Sequence, residues 1–173
     1  MSNVIETARG AYKLLIKAAN SLQSPFLLAV RLYWGWQFFQ SGWGKVQDIS
    51  KPIDFFTQLG IPFPTFNAYF VSYLECIGGI LLFLGLASRL ISIPLFIDMC
   101  VAYVTADREA LKSIFSDPGK FYAADPFTFW FAALIILIFG PGKISIDYLI
   151  ARFSARHAVD EPQASASASA MKL

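Results

Sequence analysis

Three full charges sit inside stretches of the chain that are otherwise apolar: Arg31, Glu75 and Asp98. A charge held in a bilayer costs about 2.5 to 3.5 kcal/mol even on insertion scales, so such side chains turn to a protein interior and seek partners. One arginine can neutralise one carboxylate through a paired hydrogen bond. The second acid is then left over, a place where a proton could be taken up or released. Lys45 closes the stretch that holds Arg31, with Gln37 and Gln40 between them on the helix's polar side. That order suggests a polar path from Arg31 to the surface, open to a small polar ligand or a quinone head group. Arg31, Lys45, Glu75 and Asp98 are therefore the expected polar intramembrane site. The competing readings are a snorkelling anchor for Lys45 and a closed network that only fixes helix packing for the other three. Cys76 and Cys100 lie in apolar runs without a CxxC spacing and read as packing residues. His157 is isolated, so no metal site is expected.

The elements that must position these residues follow from composition. Over 173 residues, 56% are hydrophobic, 16% aromatic and only 15% charged, with a mean hydropathy of +0.53; an ordinary soluble domain carries roughly 25% charged residues. The net charge of +2, without a basic stripe, excludes a nucleic-acid partner. The expected class is an all-α polytopic membrane protein, a four-transmembrane-helix bundle with interfacial amphipathic helices at both ends.

Residues 1–23 read as an interfacial helix, with Tyr12, Leu15 and Ile16 opposite Arg9, Lys13 and Lys17, the alternative being a helix docked on the protein's own core. No removable signal peptide is evident. Residues 24–142 hold the four spans. The first runs from about Pro25 to Gly44, and Lys51–Leu59 then reads as a short surface helix closed by Gly60. The second, about Phe66 to Leu86, contains Gly78 and Gly79, small residues that let helices approach closely. Ser88 is the expected N-cap of the third, about Arg89 to Thr105, and the short turn before it makes a hairpin. Residues 106–125 read as a loop. The fourth apolar run, Phe127 to Phe139, is short for a bilayer core of about 30 Å, so either its span begins earlier, near Phe121, which is the preferred reading, or its ends are buried in protein. Residues 143–157 form a second interfacial helix capped by Ser145, and residues 158–173 a disordered tail.

Four spans put the N-terminus, the turn at 86–89 and the C-terminus on one side. That side holds Arg9, Lys13, Lys17, Arg89, Lys143, Arg152, Arg156 and Lys172, against Lys45, Lys51, Arg108, Lys112 and Lys120 on the other. The positive-inside rule then places both termini in the cytoplasm. Counting about 1.5 Å per residue from the helix ends, Arg31, Asp98 and Glu75 fall roughly 10, 13 and 16 Å from the cytoplasmic side, which suggests one cluster.

From about Leu28 to Leu149 the chain resembles the DoxX family of small bacterial four-helix membrane proteins. The resemblance rests on Arg31, Gly42 and Lys45, on Gly60-Ile61-Pro62, and on Glu75-Cys-Ile-Gly-Gly79 with Gly85 and Ser88-Arg89. It ends with Gly140-Pro-Gly142 and Ser145-Ile-Asp147. It implies a protein of the bacterial cytoplasmic (inner) membrane. Some relatives are linked to quinone-dependent oxidation of sulfur compounds, terminal quinol oxidation or oxidative-stress complexes. The leading expectation is an accessory or quinone-interacting subunit working with a membrane oxidoreductase partner. The alternative is a small proton-coupled transporter or a membrane scaffold without catalysis of its own. No haem, flavin or iron-sulfur motif is present, so the expected cofactor is at most a quinone.

Overall fold

The computed structural model describes residues 2–156, with side chains from residue 5 onward, and among these residues the regular structure is all helix, without a strand. His157 and the tail 158–173 lie outside the described residues. The helices are α1 (Ser2–Gln47), α2 (Ser50–Gln58), α3 (Pro64–Leu84), α4 (Ser88–Thr105), α5 (Arg108–Lys112), α6 (Pro118–Ala123), α7 (Pro126–Phe139) and α8 (146–156). α3 and α4 are long and apolar enough to cross a bilayer, while α7 is apolar but has 14 residues.

The expected break between an N-terminal helix and the first span is absent, because α1 runs unbroken through Pro25. A proline removes one backbone hydrogen bond. Here the freed carbonyl belongs to the exposed Ser21, where solvent can satisfy it, and the flanking Leu, Ala and Lys residues favour helix.

α1 packs mainly on α3, and α7 on α4. The α1–α3 contact is backbone against backbone: a Cβ on Gly79 would lie 2.4 Å from the Phe39 amide nitrogen, and one on Gly35 would lie 2.7 Å from that of Phe83. Gly78 faces the other way, its missing Cβ 3.0 Å from Leu95 of α4. Leu27, Phe38, Leu82, Leu95, Met99, Ala133 and Ile136 fill the space between the helices. Many large apolar side chains point outward instead, among them Trp36, Phe70, Ile77, Leu90, Ile97 and Phe131. A surface this apolar suits lipid, not water.

Gly85, at φ 72°, ends α3: the amides of Gly85 and Leu86 both donate to the Leu81 carbonyl, at 2.9 Å each. This closes the α3–α4 hairpin. Ser88 does not cap α4. Ala87 occupies the cap in the left-handed region, and the Asp147 carboxylate accepts from the Ala87 and Ser88 amides at 2.7 and 2.9 Å. A charged acceptor placed at a helix N-terminus replaces the hydroxyl that the local pattern suggested. Ser145 does cap α8, accepting from the Tyr148 amide at 3.2 Å. The stretch 106–125 is not a plain loop, since it contains α5 and α6. The earlier start expected for the fourth apolar helix is also not made: Ala124 is extended, and α7 begins at Pro126. Phe121 belongs to the separate α6, where its ring stacks on Tyr103 and its carbonyl accepts from the Tyr103 hydroxyl at 2.8 Å.

Candidate functional site

The end of α1, the short α2 and the facing parts of α3 and α4 enclose a cavity of about 460 Å³. Gly60, at φ 70°, turns the chain after α2, and the Ile61 amide donates back to the Phe56 carbonyl at 3.0 Å. α2 thereby lays Phe55, Phe56 and Leu59 along one wall, with Val71, Met99 and Ala102 opposite. Such walls bind an apolar or aromatic body, and the few polar groups among them set its orientation.

Asn67 and Thr105 on the lining donate to the Pro62 and Val101 carbonyls at 2.7 Å each, which leaves Lys45, Glu75 and Asp98 as the charged groups of α1, α3 and α4 there. The Lys45 ammonium donates to both Glu75 carboxylate oxygens at 2.6 Å. The acid side chain is 3% exposed and the lysine 33%, so this charge-assisted pair is shielded on the acid's side and reached by solvent on the lysine's. Gly42 makes it possible, because a Cβ there would lie 2.9 Å from that of Glu75. Asp98 has one buried oxygen, Oδ2, that accepts no hydrogen bond within the protein. Lys45 thus spends both of these bonds on Glu75, and the second acid lines the same cavity with an acceptor to spare. Lys51 also lines the cavity but is engaged by Asp48 at 3.0 Å. The Ser50 hydroxyl and Lys51 together hold the exposed Asp48 carboxyl below its ordinary range.

Arg31 is not part of this site. It is 1% exposed and donates to the Ile144 carbonyl, with the Asp147 carboxylate as its electrostatic counterpart. Its guanidinium fills the space left by Gly85, where a Cβ would lie 1.6 Å from Nη1. The Asp147 amide donates to the Gly85 carbonyl at 2.9 Å, and the Lys143 amide to the Ser24 hydroxyl at 3.3 Å. Residues 140–147 therefore strap α1 to the α3–α4 turn. Arg31 Nε and Nη1 and the Ser88 hydroxyl are buried there without a protein partner.

The expected cluster of Arg31, Glu75 and Asp98 is thus divided, and helix register is the reason. Gly42 of α1 meets Ser72, Glu75 and Cys76 of α3. From Gly42 back to Arg31 is roughly 16 Å along the axis at 1.5 Å per residue. The expected polar path fails for a related reason. Arg31, Phe38 and Lys45 recur on one face of α1, and Phe38, fully buried in the apolar core, stands between the two cations. Gln37 is half-buried and Gln40 exposed. The cysteines have separate surroundings: the buried Cys76 lies beside the Phe39 carbonyl, and Cys100 accepts from the Trp130 indole at 3.3 Å. Sequence reasoning misses Gly35, whose signal is its heptad distance from Gly42, and the capping role of Asp147, which no local pattern announces.

Comparison with known proteins adds a family. The DoxX model matches residues 26–108, a range that holds all four candidate site residues. The Bacillus subtilis (strain 168) protein named "Putative oxidoreductase CatD" is 32% identical over 117 residues, covering 59% of this chain and 86% of that protein. The uncharacterized membrane protein Rv3486 of Mycobacterium tuberculosis (strain ATCC 25618 / H37Rv) is 33% identical over 140 residues, covering 71% of this chain and 80% of its own length. No solved structure gives a significant match.

Proposed function

The chain belongs to the DoxX family of membrane proteins, and from that premise we propose that it is an accessory subunit of bacterial inner-membrane redox chemistry whose cavity receives a quinone head group. The observation that carries this reading is the cavity itself: an apolar slot with the Lys45–Glu75 pair and an unsatisfied Asp98 oxygen among its lining groups. A quinone, when bound, supplies two-electron carrier chemistry. Lys45 would donate to a ring oxygen, Asp98 would accept from a ring hydroxyl or hold its proton, and Phe55, Phe56 and Met99 would flank the ring. The electrons pass to or from a partner oxidoreductase, in line with the name of the Bacillus relative.

In this reading the second half of α1 with α3, α4 and α7 makes four passes. α7, at roughly 21 Å, is the shortest, and it is helped by its burial against α4 and by the strap that follows it. The N-terminal half of α1, the α3–α4 turn and α8 share the end richer in Lys and Arg, which favours the cytoplasm for both termini. A reporter fused to the C-terminus that is active only outside the cytoplasm overturns that orientation.

The test of the site is titration of the reconstituted protein with a short-chain quinone, followed by tryptophan quenching. Glu75→Gln and Asp98→Asn should weaken binding about tenfold, the loss of roughly one charged hydrogen bond, with the helical spectrum unchanged. Equal affinity in both variants sinks the assignment. A proton-coupled carrier is the second reading, favoured by the spare Asp98 oxygen. Proton flux in vesicles that survives without any quinone would select it.

A further inference from the structure

From Ile5 to Gln23 every residue of α1 is exposed, Leu14 at 69% and Leu15 at 66%, so no described part of the chain covers this half of the helix. At 100° per residue, Ile5, Tyr12, Leu15 and Leu22 share one broad face, which Leu14 and Ile16 widen on either side. Arg9, Lys13 and Lys17 occupy the opposite face with one acid, Glu6. Ile5 and Tyr12, and Leu15 and Leu22, stand seven apart as in a dimer seam, but Leu14 and Ile16 fall outside so narrow a stripe. An arc this wide, backed by cations, is the pattern of a helix lying in a headgroup layer.

Two further observations bear on where that layer lies. α8 carries exposed Leu149, Ile150 and Phe153 with Arg152 and Arg156, the same pairing of apolar and cationic groups. It is rooted in the bundle through Asp147, which bonds Gly85, Ala87 and Ser88, and the Lys143 amide reaches Ser24, the residue before Pro25. Both amphipathic helices therefore leave the bundle at one level. Pro25 marks where α1 lacks a backbone bond and can bend.

We infer that the N-terminal half of α1 is a docking surface for anionic phospholipid, laid onto the leaflet at the level of α8 by bending at Pro25. Its tyrosine and leucines enter the acyl boundary, and Arg9, Lys13 and Lys17 meet lipid phosphates. This inference does not depend on the quinone reading.

The test uses the full-length protein with a nitroxide at Leu15→Cys or at Lys13→Cys, in vesicles of phosphatidylcholine alone or with 40% phosphatidylglycerol. The unsubstituted protein, with buried Cys76 and half-buried Cys100, supplies the labelling background. With anionic lipid, the Leu15→Cys label should become about fivefold more accessible to oxygen than to a water-soluble nickel chelate, while the Lys13→Cys label stays water-accessible. Adding Arg9→Glu and Lys17→Glu should abolish the shift, as expected when each cation near the surface contributes to binding. A Leu15→Cys label equally wet in both vesicles overturns the inference, leaving a free stalk. Dipolar coupling between labels on two copies overturns it in favour of a dimer seam, and equal oxygen access in both vesicles removes the requirement for anionic lipid.

Discussion

Arg31 and Lys45 stand on the same face of one helix with Phe38 midway between them, yet their surroundings differ in kind. Around Arg31 the chain closes: Gly85 yields it space, Ile144 accepts from it, and the 140–147 strap ties α1 to the α3–α4 turn. Around Lys45 the chain opens, and the ion pair with Glu75 lines a slot walled by aromatic and aliphatic side chains. Both centres are buried charges in an apolar bundle, so burial alone does not mark a working site. What marks the Lys45 end is a cavity of about 460 Å³ and an acceptor oxygen without a protein partner.

Substitutions at the closed end should therefore unfold the protein while leaving binding alone, and those at the open end should do the reverse. The largest effect belongs to Gly85→Val, which puts a branched side chain into both a left-handed backbone and the guanidinium of Arg31. It should cost about 4 kcal/mol, and a wild-type thermal transition in detergent would show that the close approach is not real. Arg31→Ala should cost about 3 kcal/mol, because it empties a packed site and leaves Asp147 without its counter-charge. Its folded fraction should bind a short-chain quinone with affinity within about twofold of the wild type; a tenfold loss would merge the two centres again. Asp147→Ala removes two hydrogen bonds at the start of α4 and should cost about 2 kcal/mol, with faster amide exchange at Ala87 and Ser88 as its local signature. Exchange that stays slow there would assign the cap to another group. Asp98→Asn should be the mildest for stability, under about 1 kcal/mol, since the buried oxygen has no partner to lose. A large drop in melting temperature would make Asp98 a structural residue.

The helices around the site were readable because their signals are local. Gly60 and Gly85 end helices by adopting left-handed backbone, Ser145 starts one with its hydroxyl, and unbroken apolar runs define α3, α4 and α7. Glu75 and Asp98 stand out in the sequence because each is a charge in an apolar run, and Lys45 because it closes the run that holds Arg31. Their pairing was less legible. Depths counted from helix ends gather Glu75 and Asp98 around Arg31, whereas the contact of Gly42 with α3 sets the register that gives Glu75 to Lys45. The cap on α4 escaped for a comparable reason. Asp147 is distant in sequence from Ala87, and a hydroxyl at Ser88 satisfied every local rule without being used.

The most direct test of the division between the two ends is photo-cross-linking of the reconstituted protein with an azido-quinone, with the modified peptides read by mass spectrometry. Label confined to α2 and α4, around Phe55, Phe56 and Met99, and competed away by unmodified quinone, is the predicted result. Label on the segments around Arg31 or residues 140–147, or label that competition does not reduce, would contradict the account.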